Sequence, residues 1–226
     1  MNIIMTGGGD SAQFEKIDRH FASLLKQNSN LLFIPVAGPK NIWNDSLKRI
    51  QTVFQTIKFK NVDMCIDLSY LSWNDLKKYQ AIYFDGGNTF QLINQIRETH
   101  TYELLHRFLH QGGILNGDSA GAIIFGSHLE TAHFGDEGDE NTANVISYQG
   151  LNLFGSWSIH CHYEESQNDE IKNFSNVYGF PIIALHEDSS VYIKNKYLNV
   201  VGPNKVSIFR GNKKINLKPG DTFRLI

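Results

Sequence analysis

Cysteine is scarce in this chain of 226 residues. Only Cys65 and Cys161 occur, each inside an apolar segment, which argues against a secreted disulfide framework and fits a reduced, cytoplasmic setting. Long apolar runs are missing too. Nothing approaches the ~20 consecutive residues needed to span a bilayer, and Met1-Asn2-Ile3-Ile4-Met5-Thr6 meets Gly7-Gly8-Gly9 too soon for a signal peptide. A soluble, unprocessed protein with no membrane partner is expected. Charge of one sign is also lacking. With 21 Lys and Arg against 23 Asp and Glu, the formal net charge is −2, and the basic residues are scattered, so no electrostatic footprint for nucleic acid exists. Repeats and low-complexity segments are absent. The length suits one large α/β domain over residues 1–226, with no second domain.

What is present is an alternation of short apolar runs with amphipathic stretches. Asn2 to Thr6, Leu31 to Val36, Val62 to Asp67, Ala81 to Phe84 and Gly113 to Leu115 read as buried strands. Ser11 to Gln27, Ile42 to Thr56, Trp73 to Tyr79 and Phe90 to Leu109 carry apolar residues at helical spacing. That order predicts repeated βαβ units on a doubly wound, mostly parallel sheet. Several strands end in glycine or small-residue turns, which would converge on one crevice at the strands' carboxyl ends. Thr131 to Asn144 is acidic and lacks apolar periodicity, and reads as an exposed loop that acts as a flap. Ser158 to Tyr163 and Pro181 to Leu185 read as strands around a helix from Asn168 to Tyr178. Val191 to Ile193, Tyr197 to Val201, Val206 to Phe209 and Thr222 to Ile226, separated by turn residues, predict C-terminal antiparallel hairpins.

Asn116-Gly117-Asp118-Ser119-Ala120-Gly121-Ala122 follows an apolar run and reads as a nucleophile elbow. A serine at a tight strand-to-helix turn needs small neighbours, and its hydroxyl then projects from the sheet's end. Serine also needs a positioned base and an orienting carboxylate. His162, near the end of the Ser158 to Tyr163 strand, is the favoured base, with His160 second. Period-two alternation puts both on one side of that strand. Glu187, just beyond Pro181 to Leu185, is the favoured acid, with Asp188 its rival. Asp136, Glu137, Asp139 and Glu140 sit in the acidic loop, where a mobile carboxylate would orient an imidazole poorly. Phe84-Asp85-Gly86-Gly87-Asn88-Thr89 offers an oxyanion hole from the Gly87 N–H paired with that of Ala120. Asn88 is placed beside the substrate, or caps the next helix.

The two stretches from Phe84 to Leu92 and from Gly117 to Ala122, in this order, resemble the dipeptidase E (α-aspartyl dipeptidase) and cyanophycinase family of serine peptidases. The resemblance implies a doubly wound α/β fold similar to class I glutamine amidotransferases. It further implies Ser119 as nucleophile, His162 as base, Glu187 as acid, Gly87 and Ala120 as oxyanion hole, a short peptide as substrate, and no metal or organic cofactor. Some family members are dimers, so a homodimer is among the states it implies, although no segment is diagnostic. Family members carry arginine shortly after the histidine, suited to grip a substrate carboxylate. Here Tyr163 to Glu170 is acidic and without arginine, so the expectation turns from an N-terminal aspartate to a neutral or basic peptide.

Two other classes compete. A catalytically inactive relative would keep the pocket to bind a peptide or metabolite. Alternatively, His160 and His162 with a nearby glutamate would ligate a metal, since an H-x-H pair on a strand can aim two imidazoles at one ion.

Overall fold

The apolar runs of the first half assemble into a parallel ladder. The computed structural model describes residues 1–9, 14–55, 60–136 and 138–225. The expected helix start at Ser11, the helix end at Thr56, loop residue Glu137 and terminal Ile226 lie outside the described residues. Asn2–Thr6 (β1), Asn30–Ile34 (β2), Asn61–Met64 (β3), Ala81–Phe84 (β4) and Ile114–Asp118 (β5) pair in the spatial order β1-β5-β4-β2-β3. Between them run Phe14–Ser23 (α1), Trp43–Gln55 (α2), Trp73–Leu76 (α3), Thr89–Arg97 (α4) and Thr101–His110 (α5). β5 is thus an interior strand of the ladder, flanked by β1 and β4.

Beyond β5 come Ala120–Ile123 (α6), Ser158–His160 (β6), Asn168–Tyr178 (α7) and Ile182–Leu185 (β7). Ser190–Lys194 (β8), Tyr197–Val200 (β9), Val206–Arg210 (β10), Lys213–Leu217 (β11) and Thr222–Arg224 (β12) complete the chain. The expected antiparallel tail divides. β8 joins β1 and is extended by β9 and β12, giving an eight-stranded sheet, whereas β10 and β11 join β7 and β6 in a four-stranded one. The α/β, mostly parallel class therefore stands, with the histidine and glutamate following strands of the smaller sheet.

Alternation explains the layering. Ile4, Phe33, Tyr83 and Ile114 face Phe21 of α1 and Ile50 and Phe54 of α2. Ile3, Ile34, Phe84 and Leu115 face the opposite way, onto Phe90, Ile93 and Ile96 of α4. Ile183 and Leu185 of β7 belong to that same cluster, so one continuous apolar layer contains residues of both sheets. Ile182 and Ala184 point outward to Ile171 and Phe174 of α7. No helix among the described residues is long and apolar enough to cross a membrane.

Some expected boundaries change. Phe90 to Leu109 is two helices, because Thr99 Oγ1 takes the Gln95 carbonyl at 2.9 Å and ends α4. The acidic stretch is tied down rather than free. Asp139 Oδ2 accepts the Thr89 N–H at 2.8 Å, His133 Nδ1 meets the Asp139 carbonyl at 2.7 Å, and Asn141 Oδ1 accepts the Val145 N–H at 2.9 Å.

Candidate active site

Ser119 sits between β5 and α6 with φ 48° and ψ −112°, a conformation that costs a non-glycine residue ~1–3 kcal/mol and persists only where its surroundings impose it. Here they do. Its N–H donates to the Thr6 carbonyl at 3.2 Å, and its own carbonyl accepts from the Ala122 and Ile123 N–H groups at 2.8 and 3.0 Å. The glycines on either side allow the turn to close. A Cβ on Gly117 would lie 2.3 Å from the Gly121 carbonyl oxygen, and one on Gly121 would lie 2.5 Å from that of Phe84.

Ser119 Oγ lies 2.9 Å from His162 Nε2, and His162 Nδ1 lies 3.1 Å from Glu187 Oε1. A carboxylate can only accept, so Nδ1 carries the proton and donates it to Glu187. The Nε2 lone pair then faces the serine hydroxyl, as a general base requires. His162 and Glu187 are both exposed, with side-chain accessibilities of 51% and 64%, so the electrostatic part of their hydrogen bond is screened and its value lies in orientation. Asp188 follows with φ 57°, and Glu187 is the carboxylate within hydrogen-bonding distance of the imidazole.

The glycine run Gly7-Gly8-Gly9 after β1, one of the strand-end turns expected at the crevice, holds this arrangement through its backbone. Gly7 C=O accepts the His162 N–H at 3.0 Å, and Gly8 C=O accepts the Asp188 N–H at 3.2 Å. The imidazole lies against Gly8, where a Cβ would sit 2.2 Å from His162 Cε1. The run thereby links both loops of the small sheet to the large one.

His160 is not a second copy of His162. β6 ends at His160, and His162 has φ 52°, so the period-two argument does not reach it. His160 is buried, with Nδ1 at 3.0 Å from the Thr131 carbonyl and Nε2 at 2.9 Å from Gln167 Oε1. Desolvation lowers its pKa, opposed by those two hydrogen bonds. With both nitrogens engaged, it has no lone pair to share with His162. Among the described residues, no group of three or more His, Cys, Asp or Glu forms a metal-binding set.

The Gly86-Gly87 turn abuts the elbow, since a Cβ on Gly86 would stand 3.4 Å from Ser119 Cβ. Gly87 has φ 138° and packs on the Ala37–Gly38 backbone, where a Cβ would meet the Ala37 carbonyl oxygen at 2.3 Å. The N–H groups of Gly87 and Ala120 have no hydrogen-bond partner among the described residues. Asn88 takes the capping role. Its Oδ1 accepts the Gln91 N–H at 3.0 Å and its Nδ2 donates one hydrogen to the Glu140 carbonyl at 2.9 Å.

A cleft of about 940 Å³ opens over Ser119, His162 and Gly87. Asp136, Asp139, Glu164, Glu170, Glu187 and Asp188 line it, and no Lys or Arg does so among the described residues. Behind the elbow, on the α1 and α2 side, lies a separate charge cluster. Burial pushes the Asp118 carboxyl up to about 6, against the lowering effect of the hydrogen bond from Thr6 Oγ1. Asp85 is raised by burial too, and is paired with Arg49 Nη2 at 2.9 Å.

A parallel α/β sheet with an elbow serine at its carboxyl rim defines the class as hydrolytic enzymes of the serine type. The model of peptidase family S51 matches residues 3–201, and the chain belongs to that family of serine peptidases. It is similar to a peptidase E from Haemophilus influenzae (strain PittGG), with 24% identity over 82% of this chain and 80% of that protein. A peptidase E from Nostoc sp. is 25% identical over 84% of this chain and 80% of its own length. Among solved structures, a peptidase from an acI-B1 Actinobacterium superposes with a TM-score of 0.73 at 19% identity, covering 99% of this chain and 96% of that one.

Proposed function

We propose that this peptidase cleaves short peptides through an acyl-enzyme, within a single catalytic domain and in a reducing cytoplasmic compartment that suits its two free cysteines. The observation that carries the reading is the continuous hydrogen-bonded series from Ser119 Oγ through His162 to Glu187 at the mouth of the cleft. His162 Nε2 takes the hydroxyl proton as Ser119 Oγ attacks the scissile carbonyl. The oxyanion that forms is received by the Gly87 and Ala120 N–H groups, and Glu187 stabilises the imidazolium. His162 returns the proton to the leaving amine, freeing it and leaving an ester on Ser119. Water then attacks the ester, giving its proton to His162, and the acid departs as Ser119 is reprotonated.

The test is a serine-directed fluorophosphonate followed by intact mass. One adduct per chain is expected, mapped to Ser119 and abolished in Ser119→Ala. A folded, unlabelled wild-type protein would overturn the reading.

The acidic lining of the cleft supports a finer expectation about substrates. Each anionic side chain near a bound carboxylate raises its free energy by ~1 kcal/mol or more at contact distance in water. Dipeptides with a neutral or basic first residue are therefore expected to show kcat/KM at least ~10-fold above the matching Asp-Xaa peptide at low salt, with the gap narrowing as salt is added. A first-residue dipeptide library read at two ionic strengths checks this, and equal or better cleavage of Asp-Xaa rules it out.

A further inference from the structure

The charge cluster behind the elbow touches no part of the cleft, yet it adjoins both halves of the oxyanion hole. β4 and β5 are neighbours in parallel register, with Tyr83 opposite Asn116 and Phe84 opposite Gly117. One residue further along stand two aspartates, Asp85 just past β4 and Asp118 at the end of β5. Asp85 leads directly into Gly86-Gly87, and Asp118 leads directly into Ser119-Ala120. The two carboxyls are close enough for Asp85 to raise the pKa of Asp118. Two anions at adjacent strand ends repel each other and push apart the turns that follow them. One cation is bound here. Arg49, from α2, donates to Asp85 Oδ1 at 2.9 Å, and the charges of Asp85 and Asp118 both favour its protonated form. Asp18 of α1 adds a third carboxyl on this side. Thr6 of β1 completes the group through its hydrogen bond to Asp118, while its carbonyl accepts the Ser119 N–H.

Resting on the peptidase reading above, we propose that Arg49 is a positioning residue that sets the oxyanion hole by anchoring Asp85, and so the Gly86-Gly87 turn, beside the Asp118-Ser119 turn that Thr6 holds. The two turns are close neighbours, with room for little more than a methyl group between them: a Cβ on Gly86 would fall 3.4 Å from Ser119 Cβ and 3.9 Å from Asp118 Oδ2. A displacement of ~1 Å between reacting groups costs ~10²-fold in rate, and a lost oxyanion donor costs a similar factor. Arg49 itself meets neither substrate nor Ser119.

The experiment compares wild type with Arg49→Met and Arg49→Lys. Arg49→Met is expected to lower kcat by ~10²-fold with KM within ~3-fold, and to weaken inhibition by a peptide aldehyde in proportion. That aldehyde adds the Ser119 hydroxyl across its C=O and so places an oxygen in the hole. The amine product of cleavage, which puts no carboxylate there, is expected to bind as before. Arg49→Lys, which keeps the charge on a shorter donor set, is expected to recover part of the loss. A folded Arg49→Met with kcat within ~3-fold of wild type overturns the proposal, as does a loss of kcat without a matching loss of aldehyde affinity. If Arg49→Met does not fold, the double variant Arg49→Met with Asp85→Asn removes the unpaired buried charge. It is expected to fold and stay slow, and wild-type turnover in it counts equally against the idea. Wild type that neither labels nor turns over sinks the peptidase reading itself. Labelled, active wild type with an unaffected Arg49→Met sinks this proposal alone.

Discussion

His162→Ala is expected to lower kcat on a good dipeptide by roughly 10⁴- to 10⁶-fold, with Ser119→Ala falling as far and the double variant no further. The reason is that the two act as one unit. Without the imidazole the hydroxyl 2.9 Å away keeps its proton, and without the hydroxyl the base has nothing to activate. What rate survives comes from the oxyanion donors and binding. Glu187→Gln should cost less, about 10²- to 10⁴-fold, because the carboxylate is 64% exposed and water can partly replace it. Steady-state kinetics on the four proteins, each checked for folding by circular dichroism, decides the matter. A His162→Ala protein retaining a tenth of wild-type turnover would place the base elsewhere.

The second large effect concerns folding. Gly121→Val is expected to cost more than ~4 kcal/mol and to leave little folded protein, because the first added carbon alone would stand 2.5 Å from the Phe84 carbonyl oxygen and 2.8 Å from Phe84 Cβ. Phe84 is fully buried on β4 and cannot yield. Gly112→Ala provides the control. Gly112 has φ 87° with nothing within 4 Å of a new Cβ, so only the backbone preference is lost, ~1–2 kcal/mol. Urea unfolding of both variants measures the difference. Similar values for the two would mean that contact at the elbow is looser than its geometry states.

Much of this was legible in the residues because local patterns and tertiary needs agreed. β1, β4 and α7 fall where periodicity put them, and Ser119, His162 and Glu187 come together as the motifs implied. The misreadings have identifiable causes. β11 is an edge strand whose alternation is only two apolar residues long, Ile215 and Leu217, beside Lys213, Lys214 and Asn216, and it is too short to stand out from a turn region. The break between α4 and α5 uses Thr99 rather than glycine or proline. The contrast between His160 and His162 depends on one left-handed residue, which alternation cannot foresee. Arg49 was invisible for a different reason. Its partner Asp85 lies 36 residues away, and nothing local marks a lysine or arginine on an exposed helix as anything but solvated.

The serine rides on the eight-stranded sheet, whereas the imidazole and its carboxylate follow strands of the four-stranded one. Each layer alone is chemically inert, since a hydroxyl without a base and a base without a hydroxyl do nothing to an amide bond. Under the proposed mechanism, catalytic competence is therefore a property of the seam. Any loosening that slides one slab over the other by an ångström or two would switch the chemistry off while every strand and helix is still intact.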